Sequence, residues 1–292
     1  MARLADILIA AKRKLREKFE GDPLANPDLD ARLLLAHVLN KDDSFPFLNP
    51  EFSISDEETS QFDSLIDRRC RHEPIARIIG EKVFWGFSLK LSEETLIPRL
   101  ETEILVEHAL NEIEKTGRTK ASLKILDIGT GSGAILIALL SELPNANGYA
   151  TDISNGILSV ACENADIHKV KDRFHPIVAD YVEGLSNEFD LIVSNPPYIA
   201  REESDTLQDE VKLHDPEKAL FEGENGLAAY KKIIPWAFNH LKMDGLGLVE
   251  HGNTQHKQVA SIARAAGFKR TECIYDLSKW PRVCLFGKFQ PN

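Results

Sequence analysis

Short apolar runs alternate with amphipathic segments from about residue 123 to the end of the chain. The runs are rich in β-branched residues and bounded by turn residues, as buried strands are, and the segments between them have a helical period. This alternation predicts an α/β fold with a doubly wound, mostly parallel sheet and an antiparallel last strand. The predicted strands are 123–128, 148–151, 174–179, 189–194, 245–250, 270–275 and 282–288, and the predicted helices are 134–143, 154–166, 227–241 and 255–266.

About three short helices are predicted in the first 70 residues or so. Apolar positions recur at helical spacing up to Gly21, which ends the first predicted helix. Asn26-Pro27 has the pattern of an N-cap followed by proline at the first helical position, and Ser55 with Glu58 forms a capping-box signature. A small helical domain is therefore predicted at residues 1–80, of the kind that recognises a partner.

The region between these parts has a different pattern. Residues 75–97 contain two strand-like runs, at 83–87 and 89–91, which predict a β-hairpin. We therefore expect three parts: a helical domain at 1–80, a β-hairpin linker at 81–98 and a catalytic domain at 99–292. The last part opens with a helix that ends at Gly117.

Composition narrows the possible functions. The formal net charge of -11 argues against a broad phosphate-binding surface, so direct nucleic-acid binding is not expected. The four cysteines are scattered without a C-x-x-C pair, which predicts reduced thiols in a cytoplasmic protein and neither a disulfide framework nor a metal site. No apolar stretch is long enough for a signal core or a membrane span, so no membrane association is expected.

Asn195-Pro196-Pro197-Tyr198 follows the predicted strand 189–194 directly. The Asn195 side-chain oxygen can accept one N–H of a planar amide or amine. The Pro196 carbonyl can accept the other, because Pro197 has no N–H to compete, and Tyr198 can lie against the flat group. The stretch therefore predicts a clamp for a planar –NH2 at the carboxyl end of a strand, where α/β sheets bind ligands. The alternative is an ordinary strand-ending turn.

Three more strand ends carry residues suited to a nucleoside ligand. Gly129, Gly131 and Gly133 follow the first strand as G-x-G-x-G, one residue shorter than the dinucleotide fingerprint, so the loop suits a smaller zwitterion. Asp152 ends the second strand, where a carboxylate can accept both hydroxyls of a ribose. Asp180-Tyr181 follows the third strand and supplies an acceptor for an adenine amine and a ring to stack on the base. Glycine-rich turns and helix-capping acids are common singly, but their order at consecutive strand ends favours one ligand site.

This constellation resembles the class I methyltransferases that use S-adenosylmethionine, and the clamp is similar to the (N/D)PP(Y/F) motif of amino-methyltransferases. The resemblance is closer to the release-factor glutamine N5-methyltransferases, and it covers nearly the whole chain. The chain departs from that family at Leu100, where proline is usual, and at Arg77, where an aromatic residue or histidine is common. The motifs that carry the resemblance are residues 80–86, 96–99 with 101–103, 127–133, 194–199, and 250–252 with Gln255.

The resemblance implies a Rossmann-like methyltransferase sheet and a role for each motif. Asp152 would hold the ribose of S-adenosylmethionine, and Tyr181 and Asp180 the adenine. Asn195, Pro196, Pro197 and Tyr198 would hold the target amide, with Asn195 also close to the cofactor's methyl group. The substrate would be the glutamine of the Gly-Gly-Gln loop of class-1 peptide chain release factors, gripped elsewhere by the helical domain. The residues implied to cradle the methionine part are Gly129, Thr130, Gly131, Ser132 and Gly133.

Several alternatives stay open at this point. A DNA adenine N6-methyltransferase would use the same clamp on a flipped base, although the acidic balance disfavours it. A nicotinamide dehydrogenase is disfavoured by the glycine spacing, and a catalytically inactive adaptor by the intact loop and clamp. A ribosomal-protein glutamine remains a possible target. The sequence leaves open which release factor is preferred and what the oligomeric state is.

Overall fold

The computed structural model describes residues 2–223 and 225–289. Its α-helices are α1 (Leu4–Lys18), α2 (Pro27–Val38), α3 (Phe45–Leu48), α4 (Asp56–Cys70), α5 (Ile75–Ile79), α6 (Glu103–Lys115), α7 (Ala134–Glu142), α8 (Asn155–Ile167), α9 (Asp209–His214), α10 (Glu217–Leu220), α11 (Ala228–His240) and α12 (His256–Ala266). Its strands are β1 (Ala2–Arg3), β2 (Ser53–Ile54), β3 (Glu81–Phe84), β4 (Phe87–Lys90), β5 (Lys124–Ile128), β6 (Asn147–Asp152), β7 (Phe174–Val178), β8 (Phe189–Ser194), β9 (Leu241–Glu250), β10 (Arg270–Tyr275) and β11 (Pro281–Gly287).

The chain divides into two compact units. The first contains the residues up to Gly80 together with Gln208–His214, and the second contains Glu81–Leu207 and the residues from Asp215 onward. The first unit therefore includes α9, which lies in the part of the sequence assigned above to residues 99–292. Among the described residues, no helix combines the length and apolar character needed to cross a membrane.

The helical unit forms where the sequence predicts its helix starts. The side chain of Asn26 accepts a hydrogen bond from the Leu29 N–H at 3.2 Å, with Pro27 at the first helical position. Ser55 and Glu58 form both bonds of the capping box. The core of the unit lies between α1, α2 and α4, and its fully buried side chains include Leu4, Leu15, Leu34, Leu35 and Phe62.

The segment Ile75–Ile79 forms a short helix within the predicted helical region 1–80, although this helix was not itself predicted. Its β-branched residues favour a strand, but Pro74 occupies the N-cap and Gly80 ends the helix in the left-handed conformation (φ 82°). The hairpin itself begins at Glu81. Trp85 and Gly86, both with positive φ, form its two-residue turn, as tight hairpin turns require.

The second unit is built on a seven-stranded sheet in the order β10-β11-β9-β8-β5-β6-β7. The pairs from β9 through β8, β5 and β6 to β7 are parallel, whereas β11 runs antiparallel to both of its neighbours. The predicted fold class, a mostly parallel sheet with an antiparallel last strand, is confirmed. All six residues of β8 are buried, as a central strand covered on both faces requires.

Helices cover both faces of this sheet. Successive residues of β5 point to opposite sides: Ile125 packs with α6, α7 and α8, and Leu126 packs with α11 and α12. Successive strands are added outward from β5 to β7 on one side of the sheet, and β8 to β11 lie on the other side. The order reverses between β5 and β8, which is where open α/β sheets bind ligands beyond the carboxyl ends of their strands.

Candidate active site

A cleft of about 1110 Å³ lies at the carboxyl ends of the parallel strands. It is lined by residues that follow four neighbouring strands, so the sheet topology brings the predicted site residues together. Of these, the lining includes Gly129 and Gly131 after β5, Asp152 at the end of β6, Asp180 and Tyr181 after β7, and Asn195 and Pro197 after β8.

The glycine loop turns its backbone toward the cleft. Gly129 and Gly131 have φ of 70° and 56°, and a Cβ added at either position would meet no atom within 4 Å. The open space at these two residues is therefore available to a ligand that approaches the backbone. Gly133 has a different reason to be glycine, because an added Cβ would lie 3.0 Å from Ile137 and 3.3 Å from Ala161 as α7 begins.

Thr130 and Ser132 do not line the cleft, but their hydrogen bonds fix the conformation of the glycine loop. The Thr130 hydroxyl donates to the buried carboxylate of Asp127 at 2.7 Å, and its N–H donates to the Thr151 carbonyl at 2.9 Å. The Ser132 carbonyl accepts from the side chain of Asn164 at 2.9 Å. Complete burial raises the pKa of Asp127 to about 7. These contacts fix the loop conformation.

The carboxylate of Asp152 is nine-tenths buried and fixed by two backbone donors. Its oxygens accept from the Gly131 N–H at 3.0 Å and from the Ile153 N–H at 2.8 Å. Burial raises the pKa of Asp152. Each oxygen keeps a second lone pair, so the carboxylate can still accept hydrogen bonds from ligand hydroxyls.

Tyr181 is held at the cleft wall by residues from other elements. Its hydroxyl donates to Glu222 Oε2 at 2.9 Å, and burial raises its pKa further beyond the usual range. Lys232 Nζ lies 5.1 Å from the ring centroid and donates to Asp180 Oδ2 at 3.2 Å. Asp180 is therefore paired with a cation, while Tyr181 presents a fixed aromatic ring.

A chain of hydrogen bonds sets the direction of the Asn195 amide. Asn195 Nδ2 donates to Thr102 Oγ1 at 3.1 Å, and the Thr102 hydroxyl donates to Glu250 Oε2 at 2.7 Å. A hydroxyl has only one proton. Because the Thr102 hydroxyl donates that proton to Glu250, it can only accept the hydrogen bond from Asn195. The amide N–H2 is thereby committed to Thr102. Asn195 Oδ1 is left as the acceptor for a ligand in the cleft.

The other residues of the clamp are anchored differently. Pro197 lines the cleft, whereas Pro196 is buried. The Tyr198 carbonyl accepts from Gln255 Nε2 at 2.8 Å, and Gln255 Oε1 accepts from the Gly252 N–H at 3.0 Å. Burial raises the pKa of the Tyr198 hydroxyl to about 12, so the ring stays neutral. Gln255 therefore ties Tyr198 to the segment between β9 and α12.

Carboxylates outnumber cations around the cleft. Among its described lining residues six are acidic and three are basic, which favours a ligand with positive charge. The acidic residues are Glu93, Glu94, Asp152, Asp180, Glu217 and Glu222, and the basic residues are Arg201, Lys218 and Lys232.

Sequence reasoning missed several residues of this site. Glu94 accepts from the Ser154 hydroxyl at 2.6 Å, and Glu222 and Lys232 hold the wall around Tyr181. Thr102 and Glu250 lie within the matched motifs, but no role was assigned to either. Glu103, at the start of α6, accepts from the Trp85 N–H at 2.7 Å and so stabilises the hairpin turn.

The comparisons with known proteins agree with this architecture. A family model described as "PrmC N-terminal domain" matches residues 6–80, and one described as "Methyltransferase small domain" matches residues 101–226. A release factor glutamine methyltransferase from Agrobacterium fabrum is 39% identical over 96% of this chain and 95% of its own. One from Caulobacter vibrioides is 38% identical over 95% of each chain.

The chain belongs to the release factor glutamine methyltransferase family. The members of this family that resemble it also include one from Cereibacter sphaeroides, 40% identical over 87% of this chain and 88% of its own. Among solved structures, the crystal structure of the hMettl16 catalytic domain shares the fold, with a TM-score of 0.58, 16% identity, and coverage of 94% of this chain and 96% of that one. The family assignment and the fold make this chain a methyltransferase.

Proposed function

We propose that this methyltransferase transfers the methyl group of S-adenosylmethionine to the side-chain amide nitrogen (N5) of the glutamine in the Gly-Gly-Gln loop of class-1 peptide chain release factors. The names of its relatives state the residue type and the protein class. The observation in this chain that carries the proposal is the fixed direction of the Asn195 amide, which leaves one oxygen acceptor in the cleft.

The residues of the cleft fit this cofactor. Gly129 and Gly131 leave open space beside their backbone for the methionine part, and Thr130, Ser132 and Gly133 would hold this cofactor-binding loop in the required conformation. Asp152 would accept from the ribose, and Tyr181 with Asp180 would contact the adenine. The acidic lining supports the choice, because the sulfonium makes the cofactor a net cation and the product loses that charge on methyl transfer.

The target amide is recognised by acceptors alone. A glutamine amide nitrogen carries two N–H groups, and Asn195 Oδ1 with the Pro196 carbonyl offers one acceptor for each. Pro197 and Tyr198 then limit how the planar group can lie. A hydroxyl in the same place would leave one of these acceptors without a donor and an ionised carboxylate would leave both, which is costly in a desolvated site. This pairing selects an –NH2 group.

Orientation is the main catalytic contribution of these residues. An amide nitrogen is a weak nucleophile, and the bound cofactor supplies a strongly electrophilic methyl group. By holding both N–H groups, Asn195 and Pro196 turn the face of the nitrogen toward the methyl, and orientation of this kind is worth about 7–11 kcal/mol. The same two acceptors bind more strongly as positive charge grows on the nitrogen, which stabilises the transition state selectively. The amide nitrogen would gain the methyl group as that group's bond to the cofactor's sulfur breaks, with the electron pair left on sulfur, and the nitrogen would then lose one proton to solvent.

The helical unit is the proposed reader of the release factor. It has its own core and its own match to a family model, and the described residues that line the cleft all belong to the second unit. A separate surface that holds the protein substrate would raise the effective concentration of its loop at the cleft.

Labelling of a purified release factor tests the proposal. The enzyme, S-adenosylmethionine with a labelled methyl group and a class-1 release factor are incubated, and the label is located by mass spectrometry. We expect it on the Gly-Gly-Gln glutamine, and a release factor with that glutamine replaced is the matched control. Label on a ribosomal protein in a parallel reaction, or on DNA, with none on the release factor would overturn the assignment.

A further inference from the structure

Three potential metal ligands lie close together beside the segment that follows β9. One ring nitrogen of His251, one of His256 and the Sγ of Cys273 lie within 4.8 Å of one another. They come from three different elements: the end of β9, the first turn of α12, and β10. The proposed methyl transfer uses none of them.

The hydrogen bonding of His251 leaves one of its ring nitrogens with a free lone pair. Its Nδ1 lies 2.9 Å from the Gly252 carbonyl, which can only accept, so Nδ1 carries the proton. Nε2 is then deprotonated, and it is fully buried with no hydrogen-bond partner among the described residues. A backbone carbonyl on one ring nitrogen and a bare lone pair on the other is the arrangement of a metal-bound histidine.

His256, the second histidine of the cluster, also has a buried ring nitrogen, Nδ1, without a hydrogen-bond partner among the described residues. Buried polar atoms without a partner are rare and costly, and two in adjacent imidazoles call for a common cause. A cation that accepts both lone pairs supplies one.

We propose that His251, His256 and Cys273 form a binding site for Zn²⁺. Imidazole nitrogen and thiolate sulfur are the ligands this ion prefers, and His251 and His256 are separated by four residues, within the H-x3–5-H spacing of zinc sites. Cys273 has no C-x-x-C partner and no histidine beside it in the sequence, so spacing alone predicts no metal site. The thiol of Cys273 gives up its proton to solvent when sulfur binds the metal.

The distances are close to what such a site needs. Metal–ligand bonds of about 2.0–2.3 Å put tetrahedral neighbours roughly 3.3–3.8 Å apart, so ligand atoms that now lie within 4.8 Å of one another would have to approach by at most about 1.5 Å. Side-chain rotation can supply that movement. His256 and Cys273 are partly exposed, which gives the ion a path to the site. The neighbouring cation, Arg282, is paired with Asp276 at 3.0 Å, so its charge is compensated.

The metal would stabilise the segment that supports the clamp. Residues 251–256 contain Gln255, whose amide donates to the Tyr198 carbonyl. A bound ion would tie the two ends of this segment to β10 and limit its movement. The role is structural, and it does not depend on the identity of the methyl acceptor.

Titration of the full-length, tag-free protein with Co²⁺ and Zn²⁺, without cofactor or substrate, tests the site. We expect one equivalent of Co²⁺ to give a sulfur-to-metal charge-transfer band that Zn²⁺ displaces, and Zn²⁺ to raise the unfolding temperature. Cys273→Ser should abolish the band and weaken Zn²⁺ binding at least about tenfold. Cys162→Ser, another partly buried cysteine, is the matched control and should behave like the parent protein.

His256→Ala provides a second variant in case Cys273→Ser does not fold. It removes a partly exposed ligand and should weaken both ions similarly, with unchanged circular dichroism. Absence of binding in the parent protein, or a charge-transfer band that persists in folded Cys273→Ser, would overturn the proposal. Neither outcome bears on methyl transfer, so the two proposals fail separately.

Discussion

The side chain of Asn195 gives a direct test of the amide clamp. Asn195→Ala removes the acceptor oxygen but leaves the glycine loop intact. Loss of one preorganised polar partner at a reacting centre costs about 2.7–4 kcal/mol, so single-turnover methylation of a release factor should slow by roughly a hundredfold to a thousandfold. Cofactor affinity, measured by calorimetry, should change much less.

A control for this substitution is available elsewhere in the chain. Asn145→Ala removes an exposed amide whose Nδ2 donates to the Lys120 carbonyl at 2.8 Å. Neither residue lines the cleft. It should leave methyl transfer unchanged. Near-normal transfer by Asn195→Ala would mean that the stretch after β8 is an ordinary turn.

Thr102 should act as a positioning residue for Asn195. Thr102→Val keeps the shape but removes the hydroxyl that fixes the amide direction, so turnover should fall by about tenfold, the effect of roughly one hydrogen bond. Thr102→Ser restores the hydroxyl and should restore turnover. If both variants lose stability equally and neither loses turnover at a temperature where both are folded, Thr102 only fills space.

The buried carboxyl of Asp127 predicts a pH dependence of stability. Its pKa rises from 3.8 to about 7 on folding, so the folded state keeps a proton that the unfolded state releases between these values. The free energy of unfolding should therefore fall as pH rises from about 4 to about 7, by up to about 1.4 kcal/mol per pH unit, and level off above. Asp127→Asn removes this contribution.

Urea unfolding of both proteins at a series of pH values measures the effect. Between about pH 4 and pH 7, the free energy of unfolding of Asp127→Asn should rise relative to that of the parent protein. The comparison isolates Asp127 because the other titrating groups are the same in both proteins. Parallel profiles would show that Asp127 ionises normally in the folded protein.

Residues at strand ends were predictable, whereas their supporting partners were not. Asn195, Asp152 and Tyr181 follow apolar runs, and a parallel sheet brings the ends of its strands to one edge whatever its detailed packing. Thr102 contacts Asn195 across 93 positions and Glu250 across 148. No local pattern encodes such separations, and only the packed sheet reveals them.

Among the elements, the strands of the second unit were predicted best because their burial leaves a continuous apolar signal. The short helix α5 was missed since its β-branched residues outweighed the cues at Pro74 and Gly80. The short helices between β8 and α11 were not assigned because the polar residues there have no clear period. Local propensity is weakest in such short segments, where tertiary contacts decide the conformation.

One buried ion pair should control the stability of the helical unit. Arg69 is buried in α4 and binds Asp30 of α2 at 2.8 Å and Glu210 of α9 at 2.6 Å. Arg69→Met leaves Asp30 as a buried carboxylate without its cation, and such losses cost about 3–5 kcal/mol. Glu210→Gln affects a more exposed pair and should cost about 1 kcal/mol or less.

Two optical signals separate the units in this experiment. All three tryptophans, Trp85, Trp236 and Trp280, belong to the second unit, so their fluorescence reports that unit alone. Urea unfolding followed by circular dichroism should show an early loss of helix in Arg69→Met with the fluorescence transition unchanged. The double variant Asp30→Asn/Arg69→Met should recover part of the loss. Equal stability of Arg69→Met and the parent would exclude an important ion pair.

We propose that the molecule separates catalysis from recognition of the protein substrate. Every described residue that lines the cleft lies between Glu81 and Leu207 or after Asp215. The net charge of -11 argues against a broad phosphate-binding surface, which favours recognition through a specific protein surface. We propose that the helical unit, which has its own family-model match at residues 6–80, provides that surface.

Deletion of residues 1–80 tests this division. The truncated protein should bind S-adenosylmethionine as the full chain does, by calorimetry, and should methylate a short Gly-Gly-Gln peptide with unchanged kcat/KM. With a folded release factor, kcat/KM should fall by at least about a hundredfold, because the second contact no longer concentrates the loop at the cleft. The peptide is the internal control. Deletion removes the partners of α9 in the first unit, and turnover of the peptide reports whether this change disturbs the active site. Equal turnover of the folded factor by both proteins would mean that the helical unit is not the reader and that the catalytic unit recognises its substrate alone.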